Sequence, residues 1–143
     1  MRSYRQDMGV EKKPRHLLGI GEPADLFAGV ENGADTFDCV APSRQARTSS
    51  VFTKDGRVNI SNAPHRREFF PIEQDCNCYT CKNYTRAYLC HLFRAKEMVA
   101  ATLATIHNQH FIVGLVAKMR LAIENGTFFE FKDQFMLRYY GKQ

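Results

Sequence analysis

Residues 16–40 read HLLGIGEPADLFAGVENGADTFDCV, and their pattern decides the class of fold. The apolar run at 16–21 ends in glycine, as a buried strand does, and residues 34–40 form a second strand candidate with alternating apolar positions. Between them, Pro23 opens a segment with apolar residues at helical spacing, and Gly33 stands where a glycine commonly ends a helix. A strand, a short helix and a second strand make a βαβ unit, so the sequence predicts an α/β fold with two parallel strands.

The chain that follows is first basic and then rich in β-branched residues. Residues 41–50, APSRQARTSS, are predicted to form a loop. Residues 51–60, VFTKDGRVNI, predict a hairpin whose two short strands are joined at Lys54-Asp55-Gly56. A hairpin after a βαβ unit indicates that a second portion of the chain, of α+β type, begins near residue 51.

The last part of the chain reads as helical. Apolar residues recur at helical spacing from about Thr85 to Asn125, and we predict two helices there with a break near His107-Asn108. Gly126 would end the second of these helices. Residues 128–140, FFEFKDQFMLRYY, predict a final amphipathic helix that carries many aromatic side chains.

Composition and charge are those of a globular protein. Of the 143 residues, 44% are hydrophobic and 24% charged, and the formal net charge is +5. That charge is compatible with a polyanionic partner but does not by itself identify one. Residues 1–14 form a polar lead-in without the apolar core of a signal peptide. No run approaches the roughly 20 consecutive apolar residues of a membrane span, so we expect a cytoplasmic protein with no membrane partner.

Three of the five cysteines lie within the stretch DCNCYTC, at Cys76, Cys78 and Cys81. An odd number of cysteines, clustered in this way, argues for a metal site rather than a disulfide framework. The C-x-C-x-x-C spacing lets a short turn direct three thiolates at one tetrahedral zinc ion. A fourth ligand must come from elsewhere, and spacing alone leaves open Cys90, His91, His107 and His110. Three thiolates and one further ligand leave no free position, so the site is predicted to be structural.

The two cysteines outside the stretch, Cys39 and Cys90, have a simpler interpretation. A free cysteine commonly behaves as a small apolar side chain and is among the most buried residue types. We therefore predict that both thiols pack inside the protein, although Cys90 stays among the candidates for the fourth ligand.

Three stretches together resemble one protein family. They read HLLGIGEPADL, then GADTFDCVAPSRQAR, then DCNCYTCKNYTRAYL…HLFRAKE…TIHN, and they cover the chain from about Arg15 to its end. In this order they resemble the C-terminal part of the tRNA-guanine transglycosylases, also called queuine tRNA-ribosyltransferases. The combination of FDCVxPxRxxR, CxCxxC and a later HN pair is highly specific. The resemblance implies that the histidine of the HN pair, His107, completes the zinc site.

The resemblance implies an architecture as well. The family fold is a TIM barrel with a zinc-binding subdomain near its C-terminal end. Residues 15–50 would then hold the last two barrel strands and a catalytic loop, residues 51–110 the zinc subdomain, and residues 111–143 the C-terminal helices. Asp38 falls toward the C-terminal end of its strand, which is the side where barrel enzymes keep their chemistry.

The reaction implied by the resemblance is a base exchange in tRNA, which makes the family glycosyltransferases of the pentosyl class. Its members replace guanine at the wobble position by a 7-deazaguanine, either preQ1 or queuine, on the route to queuosine. Asp38 matches the family's nucleophile, a carboxylate that attacks C1′ of the ribose and forms a covalent ribosyl-enzyme. Arg44 and Arg47 match two arginines that the family uses on the anticodon loop. Leu18 and Gly19 match positions that line the base pocket.

A complete member of the family is more than twice as long as this chain, and its earlier barrel strands precede the matching stretch. Alone, the chain is predicted to be a poor enzyme, because Asp38 lacks its partner carboxylates and two parallel strands leave unpaired edges. The chain could complete the barrel with a separate N-terminal half, or be a fragment. It could also be a non-catalytic tRNA-binding zinc module or the partner subunit of a split enzyme. A zinc-knuckle scaffold that binds only protein is the alternative from a different class.

Three residues after the cysteine cluster suggest how the chain associates. Tyr84, Tyr88 and His91 are spaced by four and three residues, which would place them on one face of a helix. This pattern matches an aromatic face that forms a homodimer contact in bacterial relatives, and tyrosine suits such a surface because its ring buries area while its hydroxyl tolerates water. We therefore predict a homodimer.

Overall fold

Strands β1 (His16–Leu18) and β2 (Thr36–Asp38) pair in parallel, and helix α1 (Pro23–Glu31) connects them. The computed structural model describes residues 12–141, and these fall into two compact units that divide between residues 39 and 40. The βαβ element makes up the first unit, so the predicted α/β class and the parallel pairing are confirmed. The TIM barrel stays a prediction, because two strands are too few to show one. The lead-in at 1–14 lies mostly outside the described residues.

Close packing inside the first unit depends on a glycine in α1. A Cβ atom added at Gly29 would stand 2.7 Å from Cε1 of Phe37, which is closer than two carbon atoms can approach. The absence of a side chain therefore lets α1 lie directly on strand β2. The helix then ends at Gly33, whose φ of 81° lies in the left-handed region where glycine carries no steric penalty. The predicted helix-ending role of Gly33 is confirmed.

The second unit begins with a helix where we predicted a loop. Residues 41–47 form helix α2 (Ala41–Arg47), so the interpretation of 41–50 as a loop was wrong for most of its length. Pro42 lies in the first turn, where its missing N–H costs nothing and its fixed φ already suits a helix. Ala46 is fully buried, and this packing holds the short helix in place. Proline and serine therefore mark the start of a helix here rather than a break.

The hairpin follows as predicted. Strands β3 (Ser50–Thr53) and β4 (Gly56–Asn59) pair antiparallel, with Phe52 opposite Arg57. Lys54 and Asp55 form the two-residue turn between them, and Gly56 begins β4 at a φ of 108°. Val51 and Phe52 are both buried, and because successive side chains of a strand point to opposite faces, both faces of β3 are covered within the second unit.

A short 3-10 helix and four α-helices complete the second unit. They are the 3-10 helix Ala63–Arg67, α3 (Tyr79–Asn83), α4 (Arg86–Arg94), α5 (Met98–Glu124) and α6 (Phe128–Tyr140). Helix α5 is central, since α2, the hairpin, α3, α4 and α6 all contact it. By length and composition alone it could cross a membrane, but the core helix of a soluble protein passes the same test. Because α2, α3, α4, α6 and strand β3 all pack on α5, we interpret it as the central helix of this unit.

The predicted helix break near His107-Asn108 was wrong. Helix α5 runs without interruption through both residues, and both are fully buried. The actual break lies earlier, between Arg94 and Met98, where Lys96 adopts a φ of 60°. The N–H of Lys96 bonds to the carbonyl of Phe93 at 3.1 Å, and the chain then starts a new helix.

Between residues 12 and 141, three helices end in the same motif, one of them without glycine. In each case the residue after the C-cap has positive φ, and it and its successor bond back to the last turn: Gly33 after α1, Lys96 after α4 and Gly126 after α5. Gly126 ends α5 as predicted. Lys96 was missed because a lysine gives no sign in the sequence that it will adopt the left-handed conformation.

We expect Lys96→Gly to stabilise the protein. A non-glycine residue in the left-handed region costs about 1–2 kcal/mol, while the extra freedom of glycine in the unfolded chain costs about 0.5–1 kcal/mol. The free energy of unfolding should therefore rise by up to about 1 kcal/mol, measured by denaturant unfolding at unchanged m-value. Gly126→Ala is the matched control, because a Cβ there meets no atom within 4 Å and only the backbone effect remains. It should lower stability; a loss of stability for Lys96→Gly as well would contradict the explanation.

Candidate metal centre

The cysteine knuckle is built on the start of helix α3. Cys78 is the N-cap of that helix, and its sulfur accepts a hydrogen bond from the backbone N–H of Cys81 at 3.3 Å. Cys81 lies in the first turn of the helix, and Cys76 lies before the helix, where its N–H donates to the carbonyl of Glu73 at 3.3 Å. The cap therefore sets the spacing of the thiols: two sulfurs come from the incoming chain and one from the first helical turn.

His107 joins the three sulfurs from helix α5. Its Nδ1 lies 3.7 Å from the sulfur of Cys76, 3.7 Å from that of Cys78 and 3.3 Å from that of Cys81. A tetrahedral ion with metal–sulfur bonds of about 2.3 Å and a metal–nitrogen bond of about 2.05 Å requires nitrogen–sulfur separations of about 3.6 Å. All four ligand atoms lie within 4.8 Å of one another. The donors are thus already spaced to hold one metal ion.

The other ring nitrogen, Nε2, fixes the orientation and the tautomer of His107. Nε2 lies 2.7 Å from the carbonyl oxygen of Phe52 in strand β3. A carbonyl only accepts hydrogen bonds, so Nε2 carries the proton and donates it, which leaves the lone pair of Nδ1 free for a metal. Metal-binding histidines are commonly oriented by a partner of this kind.

Asn108 completes the attachment to the same strand. Its side-chain oxygen accepts the backbone N–H of Phe52 at 3.0 Å, and its Nδ2 donates to the carbonyls of Pro42 and Ser50, both at 3.0 Å. Two consecutive helical residues therefore satisfy both polar groups of Phe52. We predicted no role for Asn108 from the sequence. The HN pair, in which Asn108 directly follows the predicted ligand His107, was the signal that could have indicated one.

Thr80 fastens the knuckle to helix α5 a second time. Its hydroxyl donates to the carbonyl of Leu103 at 2.6 Å, one turn before His107, and its side chain is fully buried. A hydroxyl without a partner at this depth would cost about 1–3 kcal/mol. The metal ligands are thus held by backbone and side-chain contacts that do not involve the ion.

The electrostatics of the cluster favour a bound cation. Burial raises the pKa of the Cys81 thiol above its ordinary value of 9.0, and the neighbouring thiols of Cys78 and Cys76 raise it further. Three thiolates this close together, two of them buried, would repel one another without an intervening positive charge. A divalent ion compensates these charges, because metal binding displaces the thiol protons.

The structure distinguishes among the candidates for the fourth ligand. Of the four, only His107 places a nitrogen or sulfur in the cluster of ligand atoms found among residues 12–141. Cys90 is fully buried, and its sulfur lies 3.6 Å from the carbonyl of Asn62, which confirms that it is a packing residue. His91 and His110 are exposed. Cys39 is only partly buried, so it packs less deeply than we predicted.

The predicted nucleophile lies in the first unit, at the carboxyl ends of the two parallel strands. Asp38 is the last residue of β2, and its side chain is 62% exposed. Its Oδ1 accepts the backbone N–H of Gly19 at 2.9 Å and lies 3.9 Å from Nε2 of His16. Gly19 has a φ of 72°, and the side chain of Leu18 is exposed beside it. The strand pairing thus brings Leu18, Gly19 and Asp38 together at one edge.

The remaining predicted residues lie on or beside helices of the second unit. Arg44 and Arg47 are both exposed, three residues apart on helix α2. Tyr84 precedes α4 instead of lying within it, so the prediction that it shares a helical face with Tyr88 and His91 was wrong in detail. The rings of Tyr84 and Tyr88 nevertheless stack, with centroids 5.3 Å apart. Tyr79 adds a third ring at 6.0 Å from Tyr84.

Comparison with known proteins assigns the family. The family model described as queuine tRNA-ribosyltransferase matches residues 4–141. The chain belongs to this family. A queuine tRNA-ribosyltransferase of Caldanaerobacter subterraneus subsp. tengcongensis is 51% identical over 131 residues, which cover 92% of this chain and 35% of the relative. That of Halothermothrix orenii is 48% identical over 132 residues, covering 92% and 35%, and that of Helicobacter acinonychis 49% over 127 residues, covering 89% and 34%.

The extent of these matches is informative in itself. The chain spans about one third of the length of the curated relatives it matches, in their C-terminal part. The predicted relationship to the C-terminal part of this family is therefore confirmed, and the metal cluster lies inside the matched region.

We expect the purified chain to carry one metal ion when it is prepared under reducing conditions without chelator. Cys78→Ser should reduce the metal content and destabilise residues 72–110, because the ion replaces a larger core in that stretch. Metal analysis and thermal unfolding would measure both effects. Cys90→Ser is the matched control: it changes an equally buried thiol outside the cluster and should keep the metal. Wild-type protein with almost no metal would refute the site.

Proposed function

We propose that this chain is the C-terminal part of a tRNA-guanine transglycosylase, a glycosyltransferase that replaces guanine at the wobble position of tRNA by a 7-deazaguanine. The observation that carries the proposal is the match to the family over residues 4–141, inside which Asp38 stands exposed at the carboxyl ends of two parallel strands. Barrel enzymes keep their catalytic residues at that end of the strands.

In the proposed reaction Asp38 is the nucleophile. Its carboxylate oxygen attacks C1′ of the ribose, the bond from C1′ to N9 breaks, and guanine leaves with a proton at its ring nitrogen. The incoming 7-deazaguanine, preQ1 or queuine, then attacks C1′ from its own ring nitrogen, which loses a proton as the ester bond to Asp38 breaks. A carboxylate suits both steps, because it stabilises the positive charge that develops on the sugar and is also a good leaving group.

The groups around Asp38 support this role. The hydrogen bond from the N–H of Gly19 fixes Oδ1, which leaves Oδ2 as the oxygen that can approach the ribose. Gly19 and Leu18 would form one side of the base pocket, where the absence of a side chain at Gly19 leaves room for a flat ring. We assign both residues to substrate positioning and Asp38 to the chemistry.

Arg44 and Arg47 are proposed to bind the anticodon loop. Both lie exposed on helix α2, and guanidinium groups bind phosphates or the edges of unpaired bases. The target nucleotide must leave the base stack before C1′ can be attacked, so contacts to a splayed loop are a requirement of the reaction.

We propose that the metal is zinc and that its role is structural. A tetrahedral set of three sulfurs and one nitrogen is the donor set that zinc prefers, and it leaves no position for substrate. Held by Cys76, Cys78, Cys81 and His107, the ion would fasten helix α3 to helix α5.

The complete enzyme needs residues that are not in this chain. Since the chain spans about one third of its relatives, we propose that an N-terminal portion supplies the other barrel strands and the groups that move protons during base exchange. A cytoplasmic location follows from the tRNA substrate. The same coverage favours one alternative, in which the chain acts as a tRNA-binding partner subunit without chemistry of its own.

The role of Asp38 can be tested by trapping the covalent intermediate. Co-expressed with a cognate N-terminal portion, the chain should form an adduct with a tRNA that has guanine at the wobble position, seen as a shifted band under denaturing conditions. Asp38→Asn should abolish the adduct with little change in tRNA affinity, since it removes only the nucleophile. Asp25→Asn, which neutralises an exposed carboxylate on helix α1, should leave the adduct intact. An adduct that survives Asp38→Asn would show that another residue attacks the ribose.

The predicted homodimer is proposed to form through the stacked rings of Tyr79, Tyr84 and Tyr88. Tyr79 and Tyr88 are 56% and 44% exposed, as expected of rings that await a partner surface. Tyr84→Ala combined with Tyr88→Ala should weaken self-association at least tenfold in sedimentation experiments at several concentrations, because central aromatic side chains dominate such interfaces.

The matched control for the dimer removes apolar side chains of similar exposure elsewhere. Phe129→Ala combined with Leu137→Ala changes two exposed residues of helix α6 and should leave self-association unchanged. If both double variants keep their metal and associate equally, the dimer contact lies outside the tyrosine stack.

A further inference from the structure

The segment between the hairpin and the knuckle has no part in the metal centre or in the proposed chemistry. It contains the 3-10 helix Ala63–Arg67 and continues without regular secondary structure through Phe70. The side chains of Arg66 and Arg67 are exposed, and two neighbouring rings, Phe69 and Phe70, are 77% and 39% exposed. Exposed apolar side chains that lie together mark binding surfaces more often than single ones do.

Glu68 holds this segment against the rest of the second unit. Its carboxylate lies 2.6 Å from Nδ1 of His65 and 3.2 Å from Nη1 of Arg86. The same guanidinium donates to the carbonyl of Ile72 at 2.7 Å. The hydrogen bond with His65 and then that with Arg86 lower the pKa of the Glu68 carboxyl below its ordinary value of 4.5, against the opposing effect of burial. Glu68 is therefore ionised, and both of its partners lie on the inner side.

Two backbone hydrogen bonds hold the chain on both sides of Phe69. The carbonyls of Glu68 and Phe70 accept the N–H groups of Ala87 and Arg86, at 3.0 and 2.9 Å. The ring of Phe70 is 39% exposed and lies 5.3 Å from the guanidinium of Arg86. Phe69 has no ring or cation contact of this kind among the described residues, and its side chain is 77% exposed on a backbone that is fixed on both sides.

The charges of Arg66 and Arg67 are not neutralised within the described part of the chain. Each lies in the last turn of the 3-10 helix and is exposed, and the nearest acidic residue in sequence, Glu68, is occupied by His65 and Arg86. Arg66 and Arg67 therefore offer two neighbouring positive charges to an anionic partner.

The segment also starts beside the end of helix α2. The N–H of Ile60 donates to the carbonyl of Ser49 at 2.9 Å, and the hydroxyls of Ser49 and Ser61 lie 3.1 Å apart. Arg47 is only two residues before Ser49. The chain that carries Arg66 and Arg67 thus departs from the point where the helix of the two predicted anticodon-binding arginines ends.

We propose that Arg66, Arg67 and Phe69 form a second RNA-contact surface, which binds backbone phosphates and one unpaired base of the tRNA away from the exchanged nucleotide. The inference rests on the proposed function, since it takes tRNA as the substrate. Arginines bind phosphates by charge, and an exposed aromatic ring gives an unpaired base a surface on which to stack. An RNA backbone supplies a phosphate at every nucleotide, which matches two adjacent cations, and its unpaired bases match an exposed ring.

The experiment measures RNA binding by the zinc-loaded chain as a function of salt. The probes are a labelled RNA hairpin with the sequence of an anticodon arm and a blunt RNA duplex of the same length. Arg66→Gln combined with Arg67→Gln should lower the slope of log affinity against log salt by about 1.5, because each lost phosphate contact removes about 0.7–0.9. Arg94→Gln combined with Arg120→Gln, the same charge change at two exposed positions on α4 and α5, should leave the slope nearly unchanged.

Phe69→Ala separates stacking from charge. It should weaken hairpin binding about tenfold, leave the salt slope unchanged because no charge is lost, and have no effect on the duplex, which offers no unpaired base. Arg44→Gln combined with Arg47→Gln tests the first surface independently in the same assay.

The possible failures are distinguishable. One result refutes the second surface and leaves the proposed function intact. In that result the wild-type chain binds the RNA hairpin and the Arg44 and Arg47 variant binds it weakly. The Arg66 and Arg67 variant and Phe69→Ala both bind it normally. If the salt slope changes equally in the Arg66 and Arg67 variant and in the Arg94 and Arg120 control, the effect comes from net charge alone. That result also refutes the second surface. Normal RNA binding with lost association to the N-terminal portion would make the surface a protein interface. If the wild-type chain does not bind the RNA hairpin, the second surface is refuted, whereas the proposed function is tested separately by the covalent adduct formed together with the N-terminal portion.

Discussion

The second unit depends on one contact: helix α5 uses two consecutive side chains to complete the free edge of strand β3. His107 donates to the carbonyl of Phe52, and Asn108 accepts the N–H of the same residue. Side chains thus take the place of a third strand. Each of these backbone groups is buried, and each would cost about 1–3 kcal/mol if it lost its partner. The contact therefore closes a short hairpin that could not be stable by itself.

The metal centre depends on the same contact. The ring of His107 serves the hairpin with Nε2 and the cysteine cluster with Nδ1, so one imidazole joins two structures that have no strand or helix in common. Asn108 extends the connection to helix α2 through the carbonyl of Pro42. A metal ion would hold Nδ1, and the carbonyl of Phe52 holds Nε2. A bound ion and the hairpin would therefore stabilise each other through one ring.

Structural elements that depend on residues close together in the sequence were predicted correctly. The βαβ unit, the hairpin turn and the helix ends at Gly33 and Gly126 follow from periodicity and from glycine, and the structure has each of them. The three cysteines were also clear from their spacing, whereas the choice of His107 needed the family resemblance. Nothing local singled it out among four candidates, because the distance that decides the choice spans 26 residues or more.

The errors have physical causes as well. Helix α2 was taken for a loop because proline and serine suit a first helical turn as well as a loop, and only the burial of Ala46 decides between them. The helix break was misplaced because Lys96 adopts a conformation that its side chain disfavours. His107 and Asn108 looked like a break because polar residues rarely lie inside a core helix. Their partners are backbone groups more than 50 residues away, which no local pattern can reveal.

The long range of these hydrogen bonds has a consequence for the order of folding. The bonds from Asn108 to Pro42 and to Phe52 join residues 66 and 56 positions apart. Contacts of this range form slowly, because the intervening chain must lose conformational freedom before the contacts can stabilise it. During synthesis Phe52 leaves the ribosome well before Asn108. Until helix α5 emerges, the hairpin has an unpaired strand edge and the cysteine knuckle lacks its fourth ligand. Both structures are then completed by the same helix at the same stage.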